Sequence, residues 1–231
     1  MSTSIGVNEG GEYKMHGTSL VQLAEKGDFV GSLWFAWTGS VPEENIHKLL
    51  SMSLVACIDH GENPPSAQVS RITASCGKPL ADCVSAGLLT FGSRHGNAGS
   101  SASLVLRDLL VMPGELSTKV EQTVKKLGRL PGFGHPEYEV DPRAQLLLDQ
   151  AQILLGEAPH CALARKVSVE LTRIKQKPIP VNIDGALGAL IADIAAPAEL
   201  ADALFIIARS VGLIAHAREE AEQSKSYKRG K

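Results

Sequence analysis

Gly132-Phe133-Gly134-His135, followed by Asp141-Pro142-Arg143, is the stretch on which the reading of this chain turns. Two glycines leave the backbone beside His135 free to bend and to approach a ligand closely. Asp141 suits the cap of a helix, Pro142 suits its first turn, and Arg143 then stands near the helix N-terminus. A proton carrier and a fixed cation thus face one small region. That arrangement suits an anionic, carboxylate-rich substrate.

Outward from this stretch the chain reads as nearly all helix. Alternating apolar and polar residues are scarce, and β-branched residues rarely run together. The pattern predicts helices at about 18–26, 29–37, 42–57, 66–75, 79–91, 97–111, 115–127, 142–155, 160–175, 182–195 and 197–222. Within the third, Ile46, Leu49, Leu50, Ser53, Leu54 and Cys57 share one face. Residues 1–16, polar and glycine-rich, are expected to be flexible. Leu200 to Ala217 is apolar on most faces, which predicts burial in a core or at a subunit interface.

Length and composition narrow the function classes. A chain of 231 residues can form one large domain or two modest ones. A net charge of −2 leaves no nucleic-acid footprint. The basic end, Lys225 to Lys231, reads as a solvated tail. No apolar run is expected to reach the roughly 18 residues of a membrane span. Met1 to Gly11 lacks the basic start and apolar stretch of a secretory signal. Cys57, Cys76, Cys83 and Cys161 form no CxxC pair and no zinc-like cluster with histidine, so they read as small buried residues of a reducing compartment. Together these features point to a cytoplasmic protein without a metal site.

Five positions invite a chemical reading, and each has a plainer one. His60 follows Asp59 at a helix end, where it could serve as a C-terminal cation. His95 lies in the turn Gly92-Ser93-Arg94-His95-Gly96-Asn97 and could be an exposed loop residue. Arg143 by itself could lie on a helix surface. Asp184, in Asn182-Ile183-Asp184-Gly185, could be an N-cap. Arg209 interrupts Phe205-Ile206-Ile207-Ala208 on an apolar helix, and a charge there needs a carboxylate partner or a ligand.

Taken in chain order, these segments resemble the citrate synthase superfamily. Asp59-His60 is similar to its Asp-His-Glu segment, and the Arg94–Asn97 turn to its His-Gly-Gly-Ala-Asn turn. Gly132–His135 with Asp141-Pro142-Arg143 resembles its Gly-Phe-Gly-His and Asp-Pro-Arg signature, the most specific of the set. Asn182-Ile183-Asp184 resembles its Asn-Val-Asp segment, and Ala208 to His216 its Ala-Arg-Thr-Val-Gly-Trp-Ile-Ala-His helix. The likeness spans about residues 29–222. Within the superfamily the chain looks most like citryl-CoA lyases, including the lyase module at the C-terminal end of ATP-citrate lyase. Gly31–Phe35, Ala86–Gly92 and the glycine after Asp184 carry that likeness, as do the short length and the missing long N-terminal helical segment.

The resemblance implies an all-α, citrate synthase-like fold. Residues 1–103 and 191–231 would form a large domain, and 104–190 a smaller inserted one. It implies a homodimer or higher oligomer packed through the last helix. It also implies cleavage of citryl-CoA, or a related 3-hydroxy-3-carboxyacyl-CoA, to acetyl-CoA and oxaloacetate. Coenzyme A enters as a thioester substrate, with no metal or redox cofactor. His95, His135 and Asp184 would be catalytic. His135 would handle the hydroxyl or carbonyl oxygen, taking the hydroxyl proton in cleavage. His95 would bond the thioester oxygen, and Asp184 would exchange a proton with the methyl carbon. His60, Arg143 and Arg209 would hold substrate carboxylates. Arg229 or Lys228, near the end of the chain at Lys231, would reach a neighbouring subunit's site. Coenzyme A would lie against Leu130, Pro131, Gly132, Phe133 and Gly134.

Two departures stand out. Pro136-Glu137 replaces the Arg-Val of many relatives, removing one cation, and the spacing from His135 to Arg143 is a residue shorter than in some. His95 stands where ATP-citrate lyase modules often lack a histidine. That keeps open a short citrate or 2-methylcitrate synthase, and a non-catalytic CoA- or citrate-binding subunit of a lyase complex is the alternative of another class.

Overall fold

The N-terminal stretch expected to be flexible is instead a small antiparallel sheet in the computed structural model, which describes residues 3, 5–92 and 95–224. β1 (Gly6–Glu9) pairs with β2 (Glu12–Met15), and β2 with β3 (Thr18–Ser19). Gly10 and Gly11 join the first two strands with φ of 62° and 90°. Two positive φ values in a two-residue loop match the right-handed strand twist, and glycine adopts them at no steric cost. Strands of four, four and two residues are too short to show alternation, so the glycine turn was their only signal.

The eleven helices found among the described residues fall where the apolar periodicity predicts them. Ser19 caps α1 (Leu20–Lys26), and Asp28 caps α2 (Phe29–Thr38). Asp28 also binds His47 Nε2 at 2.8 Å, on α3 (Glu44–Cys57). The chain divides into two compact units, Met1–Ser51 and Met52–Lys231, and the functional residues all belong to the second.

The second unit holds α4 (Pro65–Ser75), α5 (Leu80–Leu88), α6 (Gly99–Val111), α7 (Leu116–Leu127), α8 (Pro142–Leu155), α9 (Pro159–Lys175), α10 (Ile183–Asp193) and α11 (Leu200–Gln223). α10 is buried on nearly every side: Ile183 and Gly185 to Ala192 are all buried. It packs against α6, α8, α9 and α11, while α4 and α5 pair and pack on α11. Small residues set the closest approach. A Cβ on Gly188 would meet Gly99 O at 2.6 Å and Ser103 N at 2.7 Å, so α6 and α10 touch backbone to backbone.

α11 does two jobs. Leu204, Phe205, Ala208, Leu213 and Ala217 fill the core. One face grips the chain that leaves α3: Arg209 Nε donates to Cys57 O at 3.1 Å, and His216 Nε2 bonds Asp59 Oδ1 at 2.9 Å. Between them, Gly212 lies so near Ile58 O that a Cβ there would stand 2.2 Å away. Contrary to expectation, α11 does meet the length and composition of a membrane span, with mean hydropathy 1.6 over its apolar window. Half of that window is buried in the unit, and Asp202 and Arg209 lie on the helix, as suits a core helix. Of the cysteines, Cys57, Cys83 and Cys161 are buried as expected, whereas Cys76 is exposed just beyond α4.

The α6–α10 contact gives a direct test. Gly188→Ala forces a methyl into two backbone atoms that cannot retreat separately. Chemical denaturation should show a loss of about 1–3 kcal/mol.

Candidate active site

Two backbone hydrogen bonds and one from a side chain build the floor of the site. Asn182 N donates to Gly132 O at 3.0 Å, Gly134 N donates to Pro180 O at 2.7 Å, and Asn182 Nδ2 donates to Gly134 O at 2.9 Å. Asn182 also caps α10 by accepting from Gly185 N at 3.1 Å. Gly132, at φ 81°, sits against Gly185: a Cβ on Gly185 would stand 2.2 Å from Gly132 O. Side chains at either position would hold the two segments apart. With none, the Gly132–His135 turn lies directly on the start of α10, and His135 and Asp184 open on one cavity of about 640 Å³.

That cavity is lined by His60, His95, Leu130, Pro131, Gly132, Phe133, Gly134, His135, Arg143, Asp184 and Arg209. Residues from five separate stretches of sequence therefore converge. Arg229 and Lys228 lie outside the described residues, as does Arg94. Of the backbone groups expected to face coenzyme A, Gly132 O, Gly134 N and Gly134 O are already committed to the fold.

His135 has a defined tautomer. Its Nδ1 accepts the backbone N–H groups of Glu137 at 3.0 Å and Tyr138 at 3.1 Å. A ring nitrogen that accepts two N–H groups carries no proton, so the neutral imidazole holds its proton on Nε2. Burial, chiefly, keeps the ring below its ordinary pKa. His135 is therefore set up to donate from Nε2. The ring packs edge-to-face on His60, with centroids 5.1 Å apart. His60 is also lowered, first by burial and then by Arg143, His135 and Arg209.

The arginines are held from behind. Asp141, 1 % exposed, accepts Arg143 Nε at 3.0 Å and Nη2 at 2.9 Å, while Nη1 is buried with no partner. Asp141 is thus more than the helix cap its sequence position suggests: it grips one edge of the guanidinium and leaves the other free. Arg209 is 3 % exposed and sits 4.8 Å over the Phe205 ring. Its Nε is taken by Cys57 O, and no carboxylate among the described residues forms an ion pair with it. This removes the plainer explanation for a charge on an apolar helix. The Cys57 thiol beneath is pushed up to about 12, mainly by burial, and is inert.

Asp184 is not the cap of α10, since Asn182 has that task. Its Oδ1 is buried without a partner, and burial, with Asp202 next in weight, pushes its pKa up to about 6. His95 pairs with Gly92 through two backbone hydrogen bonds and bonds Ser66 Oγ through Nε2 at 2.9 Å. Ser66 is fully buried on α4, a positioning contact across 29 residues that the sequence does not announce. His95 too is lowered, by burial first and then by Arg209 and His60.

Comparison with known proteins agrees with this architecture. Residues 10–229 match the family model described as citrate synthase, C-terminal domain. The chain is 31% identical over 210 residues to ATP-citrate synthase beta chain protein 1 of Oryza sativa subsp. japonica, a match that covers 82% of this chain and 33% of that one. It therefore spans about a third of that relative's length. Its fold superposes on the citryl-CoA lyase from Hydrogenobacter thermophilus with a TM-score of 0.90 and 32% identity, covering 100% of this chain and 91% of the other. It also superposes on an ATP citrate lyase from Methanosaeta concilii in complex with (3S)-citryl-CoA, with a TM-score of 0.87, 25% identity, and coverage of 100% and 40%. The chain belongs to the citrate synthase family.

The burial of Asp184 has a thermodynamic signature. With its folded pKa raised from 3.8 to about 6, the folded state binds more protons than the unfolded one across that window. Stability is then lost as pH rises from about 4 to 6, and the loss persists above. Asp184→Asn removes this dependence. Relative to wild type, the variant should gain roughly 2–3 kcal/mol between pH 3.5 and pH 7, read as a pH-dependent difference in thermal midpoint.

Proposed function

We propose that this citrate synthase family member is a citryl-CoA lyase, cleaving a citryl-CoA-type thioester to acetyl-CoA and oxaloacetate. The observation that carries the reading is one cavity that joins Arg143 with its bare buried Nη1, Arg209 with no ion-paired carboxylate among the described residues, a donor histidine and a buried carboxyl group raised toward neutrality. The close superposition on a citryl-CoA lyase across the full chain supports it.

In this reading Arg143 and Arg209 bind the carboxylates of the citryl group. A guanidinium group suits that task because its planar fork matches a carboxylate bidentately. His135 donates its Nε2–H to the substrate oxygen and stabilises the negative charge that develops there. Because its Nδ1 is committed to two backbone donors, it is not the group that removes the hydroxyl proton. We assign that step to His60, which is neutral and in ring contact with His135. As the proton leaves, the oxygen's electrons form the ketone and the bond to the methylene carbon breaks. The electron pair passes to the enolate of acetyl-CoA. His95, oriented by Ser66, bonds the enolate oxygen. The protonated Asp184 delivers its proton to the carbon, giving the methyl group, and is left as a carboxylate. Leu130 to Phe133 would flank the thioester arm of coenzyme A. Closure of residues 104–190 over the site would exclude water.

The presence of His95 favours one second reading, a synthase that runs the same carbon–carbon step in reverse and then hydrolyses the thioester. Two further features belong to the lyase proposal. Ile207, Val211 and Ile214 leave an apolar stripe 36–51% exposed on α11, which suits packing against a second copy of the chain. Free thiols at all four cysteines support a reducing, cytoplasmic setting.

Incubation with synthetic citryl-CoA, following all four products, tests the reading. Equal amounts of acetyl-CoA and oxaloacetate are expected, without free coenzyme A. Citrate plus free coenzyme A would replace it with the synthase, and no turnover by the folded dimer would favour a binding subunit. Asp184→Asn should lower the cleavage rate at least about a hundredfold while oxaloacetate still binds. Arg209→Ala should chiefly raise KM, by about tenfold or more, the loss of one charge-assisted bond.

A further inference from the structure

α6 begins without a cap of its own: Ala98 precedes it, and no side chain nearby in sequence bonds its first turn. The open N–H groups of a helix start need acceptors, and its positive end draws anions. Here a carboxylate from a distant helix supplies one. Asp202, at the start of α11, accepts Ser100 N at 3.0 Å. Its Oδ1 lies where a Cβ on Gly99 would stand 3.2 Å away, so glycine is what lets it approach. Asp184, at the start of α10, lines the cavity together with Ala98, the residue that precedes α6. Two acids thus stand near one helix start, and of the two only Asp184 opens on the cavity.

We infer that Asp202 is a positioning residue for Asp184: anchored on Ser100 N, its carboxylate occupies the start of α6, leaves Asp184 Oδ1 unpaired to face the substrate carbon, and sets a like charge beside it. The inference rests on the reading of Asp184 as the proton-exchange group. It also has an electrostatic side. Asp184 is faced by Asp202 and Arg209 from α11, by Arg143 from α8, by the Cys57 thiol at the end of α3, and by the Ala98 N–H. The two arginines favour its ionised form. Asp202 is the acid that opposes them, and a second negative charge at a shared helix start favours the proton-bearing state that cleavage requires. Asp202 is itself raised, chiefly by burial.

Asp202→Asn tests this, because the amide oxygen still caps α6 while the charge is gone. The direct readout is infrared: the C=O stretch of protonated Asp184, identified by its loss in Asp184→Asn, titrated in both backgrounds. The Asp184 midpoint should fall by about half a unit or more in Asp202→Asn. The basic limb of kcat/KM for citryl-CoA cleavage should move to lower pH by the same amount, so the rate at pH 7.5 drops by about threefold to tenfold while KM holds. An unmoved midpoint in the folded variant overturns the inference and leaves Asp202 as a cap only. That outcome would be compatible with a lowered thermal midpoint in Asp202→Ala. Should Asp202→Asn not fold, Asp202→Ser is neutral, still caps, and carries the same expectation. A shifted infrared midpoint in a protein that does not turn over citryl-CoA would uphold the coupling and count against the lyase assignment alone.

Discussion

The contact between Gly132 and Gly185 is the constraint on which the site depends. Neither position tolerates a Cβ, because each faces the other's backbone. That absence of side chains lets Asn182 N reach Gly132 O and lets Asn182 Nδ2 reach Gly134 O. A loop and a helix start become one rigid platform. His135 and Asp184, 49 positions apart in sequence, then share a cavity without either being mounted on a flexible segment. A proton donor and a proton acceptor are only useful within about half an ångström of their working geometry, and hydrogen bonds between packed elements supply that precision.

Charge in the site is divided between two kinds of group. The arginines carry it permanently, and each is fixed by a bond that spends one edge of the guanidinium: Asp141 for Arg143, Cys57 O for Arg209. The histidines are kept neutral by burial and by those same arginines. Neutral rings can donate or accept a proton where an imidazolium could only donate. Binding of carboxylates and handling of protons are therefore separated by residue type, and the cations that bind the substrate also set the protonation of the groups that transform it.

Most of the helices were legible in the sequence because eleven amphipathic or apolar segments are bounded by proline, glycine and capping residues. The chemistry-bearing residues were legible because they sit in short local patterns, as in Gly132–His135 and Asp141–Arg143. What stayed hidden was of two sorts. The N-terminal sheet lacks enough residues per strand to show a period of two, leaving Gly10-Gly11 as an ambiguous sign. The supporting contacts are long-range: Ser66 to His95, Asp202 to Ser100, and Arg209 to Cys57 O join residues 29, 102 and 152 positions apart. Nothing in a local window marks Ser66 or Asp202, because a serine in a helix and an aspartate near a helix start are ordinary in both places.

The buried Asp184 shows how function is set against stability in this fold. An apolar residue at this position would bury no unpaired oxygen. The fold instead keeps a carboxyl group with one bare buried oxygen and a like charge for a neighbour, in a helix made, apart from its last residue Asp193, of Ala, Gly, Leu and Ile. Such a group is tolerable because α10 is the most enclosed helix of its unit, so the loss is spread over a core with contacts to spare on four sides. Placed on a peripheral helix, the same carboxyl group would be hydrated and fully ionised, and would have no proton to give near neutral pH. The central position of α10 is thus what makes the acid weak enough to hold its proton and the protein stable enough to hold the acid.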